Sequence, residues 1–129
     1  MIFALALTFA AAASPASCPA RNQLEINDCV AAELNRADGV LARYVAAARR
    51  RLQADQPDVL RAFDDAQSIW RSYREVACGA VYREWENGSI RNVKALECEQ
   101  ALVRERTRAI WRDWLTYEDS TPPILPEPR

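Results

Sequence analysis

Residues Ile26–Leu52, reading INDCVAAELNRADGVLARYVAAARRRL, set Ile26, Val30, Leu34, Ala37, Leu41, Tyr44, Ala48 and Leu52 at steps of three and four. Arg, Asp and Glu fill the positions between them. An apolar stripe with this period is one face of an α-helix, here roughly 30 residues long. Gly39 weakens such a helix by about 1 kcal/mol relative to Ala without breaking it. Arg49, Arg50 and Arg51 fall in its last turns, where cations interact favourably with the helix dipole. A run of three arginines also suits nucleic acid, but a solvated helix end is the simpler reading.

Beyond this stretch, Asp55-Gln56-Pro57-Asp58 is a break that carries the start signals of another helix, with Asp to cap and Pro in the first turn. A second pattern follows through Leu60, Phe63, Ala66/Gln67, Trp70, Tyr73, Ala77, Val81 and Trp85. Asn87-Gly88 turns the chain, and Ser89 is placed to cap a third helix. That helix carries Val93, Cys98, Leu102, Val103, Ile110, Trp114 and Tyr117. Residues 119–129 contain four prolines and are expected to form an extended, flexible tail. No stretch reads as a strand. The expected fold is all-α, an antiparallel three-helix bundle of long helices.

The chain has 129 residues, 50% hydrophobic and 27% charged, with net charge -1, which suits one domain. Lys94 is the only lysine among 17 basic residues, and the charge balance excludes a general nucleic-acid binder. No histidine is present, so the commonest general base and transition-metal ligand are missing. Ile2–Ala13 is an apolar run too short to span a bilayer, which needs roughly 20 residues, and the small residues Ser14, Ala16 and Ser17 follow it. Residues 1–16 therefore read as a signal peptide cleaved after Ala16, with the helical domain at 17–118 and no transmembrane segment in the mature chain. No basic residue precedes the run, which leaves room for an upstream start. Lipidation of Cys18 is the lesser alternative, because Pro15 stands where such a motif usually has Leu. The expected location is the periplasm or the exterior.

Four cysteines, Cys18, Cys29, Cys78 and Cys98, remain in the mature chain. In an exported protein an even count points to disulfides, and the close pairs that a four-thiolate zinc site needs are missing. Reflection about Gly88 carries Cys78 onto Cys98 in an antiparallel pair. Reflection about Gln56 carries Cys78 near Leu34, five residues from Cys29, an offset of about 7.5 Å that strains a disulfide. The reading is Cys78–Cys98 and Cys18–Cys29.

The segment Ala66-Gln67-Ser68-Ile69-Trp70-Arg71-Ser72-Tyr73-Arg74-Glu75-Val76-Ala77-Cys78 resembles the A-Q-x-x-W-x-x-Y-R-x-x-x-C pattern of the LprI-type lysozyme-inhibitor domain. Gln23 through Cys29, then Asp38, Leu41, Tyr44, Gly88-Ser89, Cys98, Leu102 and Arg106-Thr107 agree in order, so the likeness covers about residues 18–110. Asn87 replaces the first of two glycines usual before the serine, and Val103 stands where Thr is common. The resemblance implies an exported helical domain whose partner is a lysozyme.

Physically, Gln67, Trp70 and Arg74 share one helical face, with Tyr73 and Ala77 beside it. Trp70 and Tyr73 are amphipathic, and their polar tips need partners when buried. Arg74 and Arg106 lie next to apolar stripes, and a buried guanidinium needs carboxylate or carbonyl partners. Glu25, Glu33 and Asp38 are the candidates on the first helix. Gln67, Trp70, Tyr73, Arg74 and Arg106 are accordingly read as a structural network that fixes helix register.

Catalysis has little to work with. Glu84 and Glu86 flank Trp85, but neighbours on a helix diverge and read as surface charges. Ser89 has no histidine to activate it, and oxidised cysteines are not nucleophiles. The expectation is an exported binding module rather than an enzyme, with no cofactor and no metal. Its candidate partner-binding residues are Ser89 and Arg91 in the second turn, and Trp111 and Trp114 as an aromatic patch with at least one ring packed inward. In the first reading the turn enters a lysozyme cleft, where Ser89 and Arg91 donate to the catalytic carboxylates. The alternative is a non-inhibitory envelope scaffold or adaptor.

Overall fold

The computed structural model describes residues 18–19 and 21–129, so the leader expected at 1–16 lies outside the described residues. Three helices follow in order: α1 Gln23–Asp55, α2 Pro57–Glu84 and α3 Arg91–Trp114, with no strand among the described residues. Contacts between α1 and α2, Arg49 with Asp64 and Asp38 with Arg74, run in opposite sequence directions, so these helices are antiparallel. Cys78–Cys98 and Gln67–Arg106 show the same for α2 and α3. The all-α, antiparallel three-helix architecture is as expected.

Local chemistry accounts for most of the helix ends. Asn22 caps α1, its side-chain oxygen accepting from the Glu25 amide at 3.0 Å, while the Glu25 carboxylate accepts from the Arg21 amide at 2.9 Å. The first bond satisfies a donor that a helix start leaves open, and the second ties the residue before the cap to the first turn. Gln56 alone separates α1 from α2, and Pro57 opens α2, where its missing N–H is no loss. No side chain caps α2, so the expected Asp cap is not formed, and Asp58 instead sits in the first turn.

The core lies mainly between α1 and α3. Leu34, Leu41, Tyr44, Ala47, Ala48 and Leu52 of α1 meet Val103 and Ile110 of α3, with Phe63 of α2 and Leu115 completing it. Phe63 meets Trp114 edge to face, ring centroids 5.4 Å apart. The α1 residues of the opening stretch are thus mostly the ones buried. On α2 the buried face is instead Phe63, Gln67 and Cys78.

Both expected disulfides are present, Cys18–Cys29 with a Cα separation of 5.8 Å and Cys78–Cys98 with 5.6 Å. Cys78–Cys98 staples the far ends of α2 and α3, away from the main core. Cys18–Cys29 ties the N-terminal arm to α1.

Two expectations about the C-terminal end are corrected. Helix α3 stops at Trp114 rather than running on past Tyr117, because Leu115 caps it and is itself fully buried. The tail 119–129 is fastened to the bundle. Ile124 donates its amide to the Leu115 carbonyl at 2.9 Å, Trp111 donates Nε1–H to Leu125 O at 2.9 Å, and the Tyr44 hydroxyl donates to Pro126 O at 2.6 Å. Leu125 packs against the core. The prolines forbid a helix without forbidding docking, since carbonyls still accept.

Two of the three arginines in the run, Arg49 and Arg51, have partners, while Arg50 is exposed. Arg49 makes a two-pronged bond to Asp64 at 2.8 and 3.0 Å across the first turn. Arg51 donates to the Trp114 carbonyl and lies 4.7 Å from the Tyr117 ring centroid. A cation at the carbonyl end of α3 meets its unsatisfied acceptors and the negative pole of its dipole.

Candidate functional site

The residues singled out in the sequence fall mainly in two regions: a polar network between the helices and the turn that joins α2 to α3. At the centre of the first is Arg74, whose side chain is 17% exposed. Nη1 and Nη2 donate to the two carboxylate oxygens of Asp38 at 2.6 and 3.0 Å, and Nε donates to Glu99 at 2.9 Å. One guanidinium therefore joins all three helices. The Asp38 hydrogen bond, together with attraction from both carboxylates, holds the Arg74 pKa above the ordinary arginine value despite burial. Asp38 was one of the expected partners. Glu25 and Glu33 are not engaged by Arg74, and Glu99 was missed. Its signal was available, since reflection about Gly88 carries Arg74 to Leu102, one turn from Glu99.

Arg106 of α3 donates Nε–H to the buried Gln67 oxygen at 2.6 Å. The Trp70 ring stands between the two arginines, its centroid 6.0 Å from each guanidinium carbon. Burial lowers the Arg106 pKa, partly offset by Asp113. Gln67, Trp70, Arg74 and Arg106 are brought together between the helices. Tyr73 is not: it is 57% exposed. Arg74 takes the inward position because it has carboxylates to meet there, which turns Tyr73 toward water. An open groove of about 410 Å³ borders this network, with Cys78, Gly79 and Ala95 among the residues lining it and Arg71, Glu75 and Tyr82 on its polar side.

The second region is the turn Trp85–Ile90. Gly88 donates its amide to the Trp85 carbonyl at 2.8 Å, and Lys94 lies 5.3 Å from the Trp85 ring centroid. Ser89 is exposed, but it does not cap α3; the capping position is Ile90, with no side-chain hydrogen bond. Arg91 is half-buried. It donates Nε–H to the Tyr82 hydroxyl at 3.1 Å and Nη1–H to the Glu86 and Gly88 carbonyls at 3.3 and 3.4 Å. The nearest guanidinium closes over the carbonyls of the turn. Ser89 and Arg91 thus do share one turn, with different duties.

Trp111 and Trp114 do not form an exposed patch. Both are half-buried against the core, Trp111 bonded to the tail and Trp114 against Phe63. The sequence could not show this, because the acceptor for Trp111 lies in a tail with no helical register to α3.

Among the described residues no helix is long and apolar enough to cross a membrane, and no group of His, Cys, Asp or Glu side chains is arranged to hold a metal ion. The fold and site define a small disulfide-stapled helical domain with a hydrogen-bonded polar centre. A family model described as lysozyme inhibitor LprI matches residues 14–110, and the chain belongs to that family. No curated protein and no solved structure matches it. The family is one of inhibitors of an enzyme, so a protein partner is the class of ligand it implies.

Proposed function

We propose that this protein is exported, loses residues 1–16, and inhibits a lysozyme by presenting the α2–α3 turn to the substrate cleft, with no catalytic step of its own. The observation that carries the reading is the construction of that turn. Arg91 closes on two of its carbonyls and on the Tyr82 hydroxyl of α2, and the exposed Ser89 stands at its tip. A loop already rigid in its bound form loses less entropy on binding. The cleft of a lysozyme holds two carboxylates, and hydrogen bonds to ionised acceptors are roughly twice as strong as neutral ones. The Ser89 hydroxyl is the donor offered there, together with the Nη2 end of Arg91, which makes no hydrogen bond among the described residues. Two disulfides suit an oxidising compartment outside the cytoplasm.

The test is lysozyme turnover on cell walls with and without the purified, oxidised protein. Inhibition saturating near one-to-one supports the reading. No inhibition across several lysozyme types refutes it and favours an envelope adaptor that binds other proteins.

A further inference from the structure

The outward side of α2 carries a stripe that, apart from Gly79 at the edge of the groove, takes no part in the network or the turn. Asp65, Ile69, Ser72, Val76, Gly79 and Arg83 follow one another at alternate steps of four and three, and all six are exposed. That spacing is the heptad seam by which one helix packs lengthwise on another. Ile69 is 71% exposed and Val76 74%, with Tyr73 beside them at 57%. Between Asp65 and Arg83 the stripe bears no charge, and those two end residues form no ion pair with any described residue.

We propose that this seam pairs two copies of the chain, α2 against α2, antiparallel about a two-fold axis level with Arg74. The order of residues is complementary to itself in that register. Each position in the stripe pairs with the one whose number makes the sum 148. Asp65 then faces Arg83 of the second copy, Ile69 faces Gly79, and Ser72 faces Val76, each pair occurring twice as an isologous interface requires. Opposite charges close both ends. The large Ile69 meets the residue with no side chain, and Val76 meets the small Ser72. The Ser72 hydroxyl already donates to the Ser68 carbonyl at 3.3 Å, so it can be covered without losing its partner.

Gly79 supports the pairing independently. It lies inside a long helix, where glycine is destabilising by about 1 kcal/mol relative to alanine. Its own chain does not require it: the backbone is ordinary, and a Cβ built there meets no atom within 4 Å. A notch opposite Ile69 of a second copy gives the absent side chain a use. The stripe is ~27 Å long at helical rise, and one helix face covers less than the roughly 800 Å² per partner of a standard interface. The pairing is therefore weak and concentration-dependent.

The experiment is sedimentation velocity on protein recovered oxidised from an exporting host, from about 1 μM to 1 mM, a range spanning weak affinities. The wild type is expected to shift from monomer to dimer across it. Ile69→Arg should remain monomeric throughout while keeping its helical circular dichroism and melting curve. Asp65→Arg and Arg83→Asp should each weaken association at least tenfold, and the two together should restore it to within about threefold, since the swapped charges face each other again. A wild type that stays monomeric to the highest concentration overturns the proposal. So does association that survives Ile69→Arg, or a double swap that rescues nothing. None of these readouts depends on lysozyme.

Discussion

Arg74 on α2 holds Asp38 on α1 through two parallel hydrogen bonds of 2.6 and 3.0 Å. The same guanidinium reaches Glu99 on α3, so a single side chain fixes the register of all three helices. Removing it strands two carboxylates that face the bundle. Full burial of such a pair makes the loss about 3–5 kcal/mol. Asp38 and Glu99 keep 38% and 31% of their side-chain surface in water, which lowers the expected cost of Arg74→Ala to about 2–3 kcal/mol. Arg74→Lys should recover less than half of that, because an ammonium cannot bond both oxygens of Asp38 in the same plane. Denaturant melts of the two variants measure both effects. A full-stability Arg74→Ala would show that packing alone sets the register.

The staples should contribute unequally. Chain-entropy estimates give about 3 kcal/mol for either loop, differing by only about 0.5 kcal/mol. Cys78 is buried between α2 and α3, whereas Cys18 and Cys29 are half-buried at the arm. Replacing both Cys78 and Cys98 by Ser is expected to lower the melting temperature more than replacing both Cys18 and Cys29. Peptide mapping without reduction should recover the same two pairs.

How far the residues alone led is clearest on α1 and α2. The α1 stripe was readable because apolar residues recur there without competition, and most of those residues are buried. On α2 the apolar period admits two faces, one with Tyr73 and Ala77 inward and one with Arg74 and Cys78 inward. Hydrophobicity favours the first. Two carboxylates 25 and 36 residues from Arg74, and a disulfide partner 20 residues from Cys78, decide for the second. The family motif was visible in the same segment, but it carries no statement of which of its residues face inward. The turn lies where Asn87-Gly88 puts it, while Ser89 does not form the expected cap and Arg91 closes on loop carbonyls, because side-chain bonds to loop carbonyls follow from the path of the chain.

The docked tail gives a third prediction. Tyr44→Phe removes only the hydroxyl that donates to the Pro126 carbonyl and should cost about 1 kcal/mol. Deleting residues 119–129 should cost more, since it also uncovers Trp111 and the apolar surface under Leu125. Trp fluorescence should shift to the red in the deletion and much less in Tyr44→Phe. An unshifted spectrum in the truncated chain would mean that the tail is not held in solution.

At the root of this tail Asp119 accepts the Thr121 amide at 2.8 Å, and hydrogen bonds from Thr121, side chain first and backbone second, hold its carboxyl below the ordinary value. A depressed folded value means that the contribution is present above the unfolded pKa, near 4, and is lost as pH falls through the lower folded value. NMR titration of the carboxyl carbon should place Asp119 below an ordinary aspartate. Thr121→Ala should move it part of the way back, because the backbone donor remains.

The turn offers the sharpest discrimination, and its structure decides which substitution is informative. Arg91→Glu looks attractive, since a carboxylate among the carboxylates of a cleft repels them at a cost of several kcal/mol. However, Arg91 holds Tyr82 and two turn carbonyls, so its replacement reshapes the turn and confounds affinity with conformation. Ser89 is exposed and caps nothing, so it can be changed without cost to the helix start. Ser89→Glu places the same repulsive charge at the tip and leaves the Arg91 closure intact. It should keep the wild-type melting curve and weaken lysozyme inhibition at least a hundredfold. Ser89→Ala, which removes one donor without adding repulsion, should weaken it by about tenfold, as expected for one hydrogen bond to a charged acceptor. Equal inhibition by the wild type and Ser89→Glu would remove the turn from the contact surface. Loss of inhibition in Arg91→Glu alone would then show only that the shape of the turn matters. The informative measurement is therefore the pair of Ser89 variants, with their melts alongside.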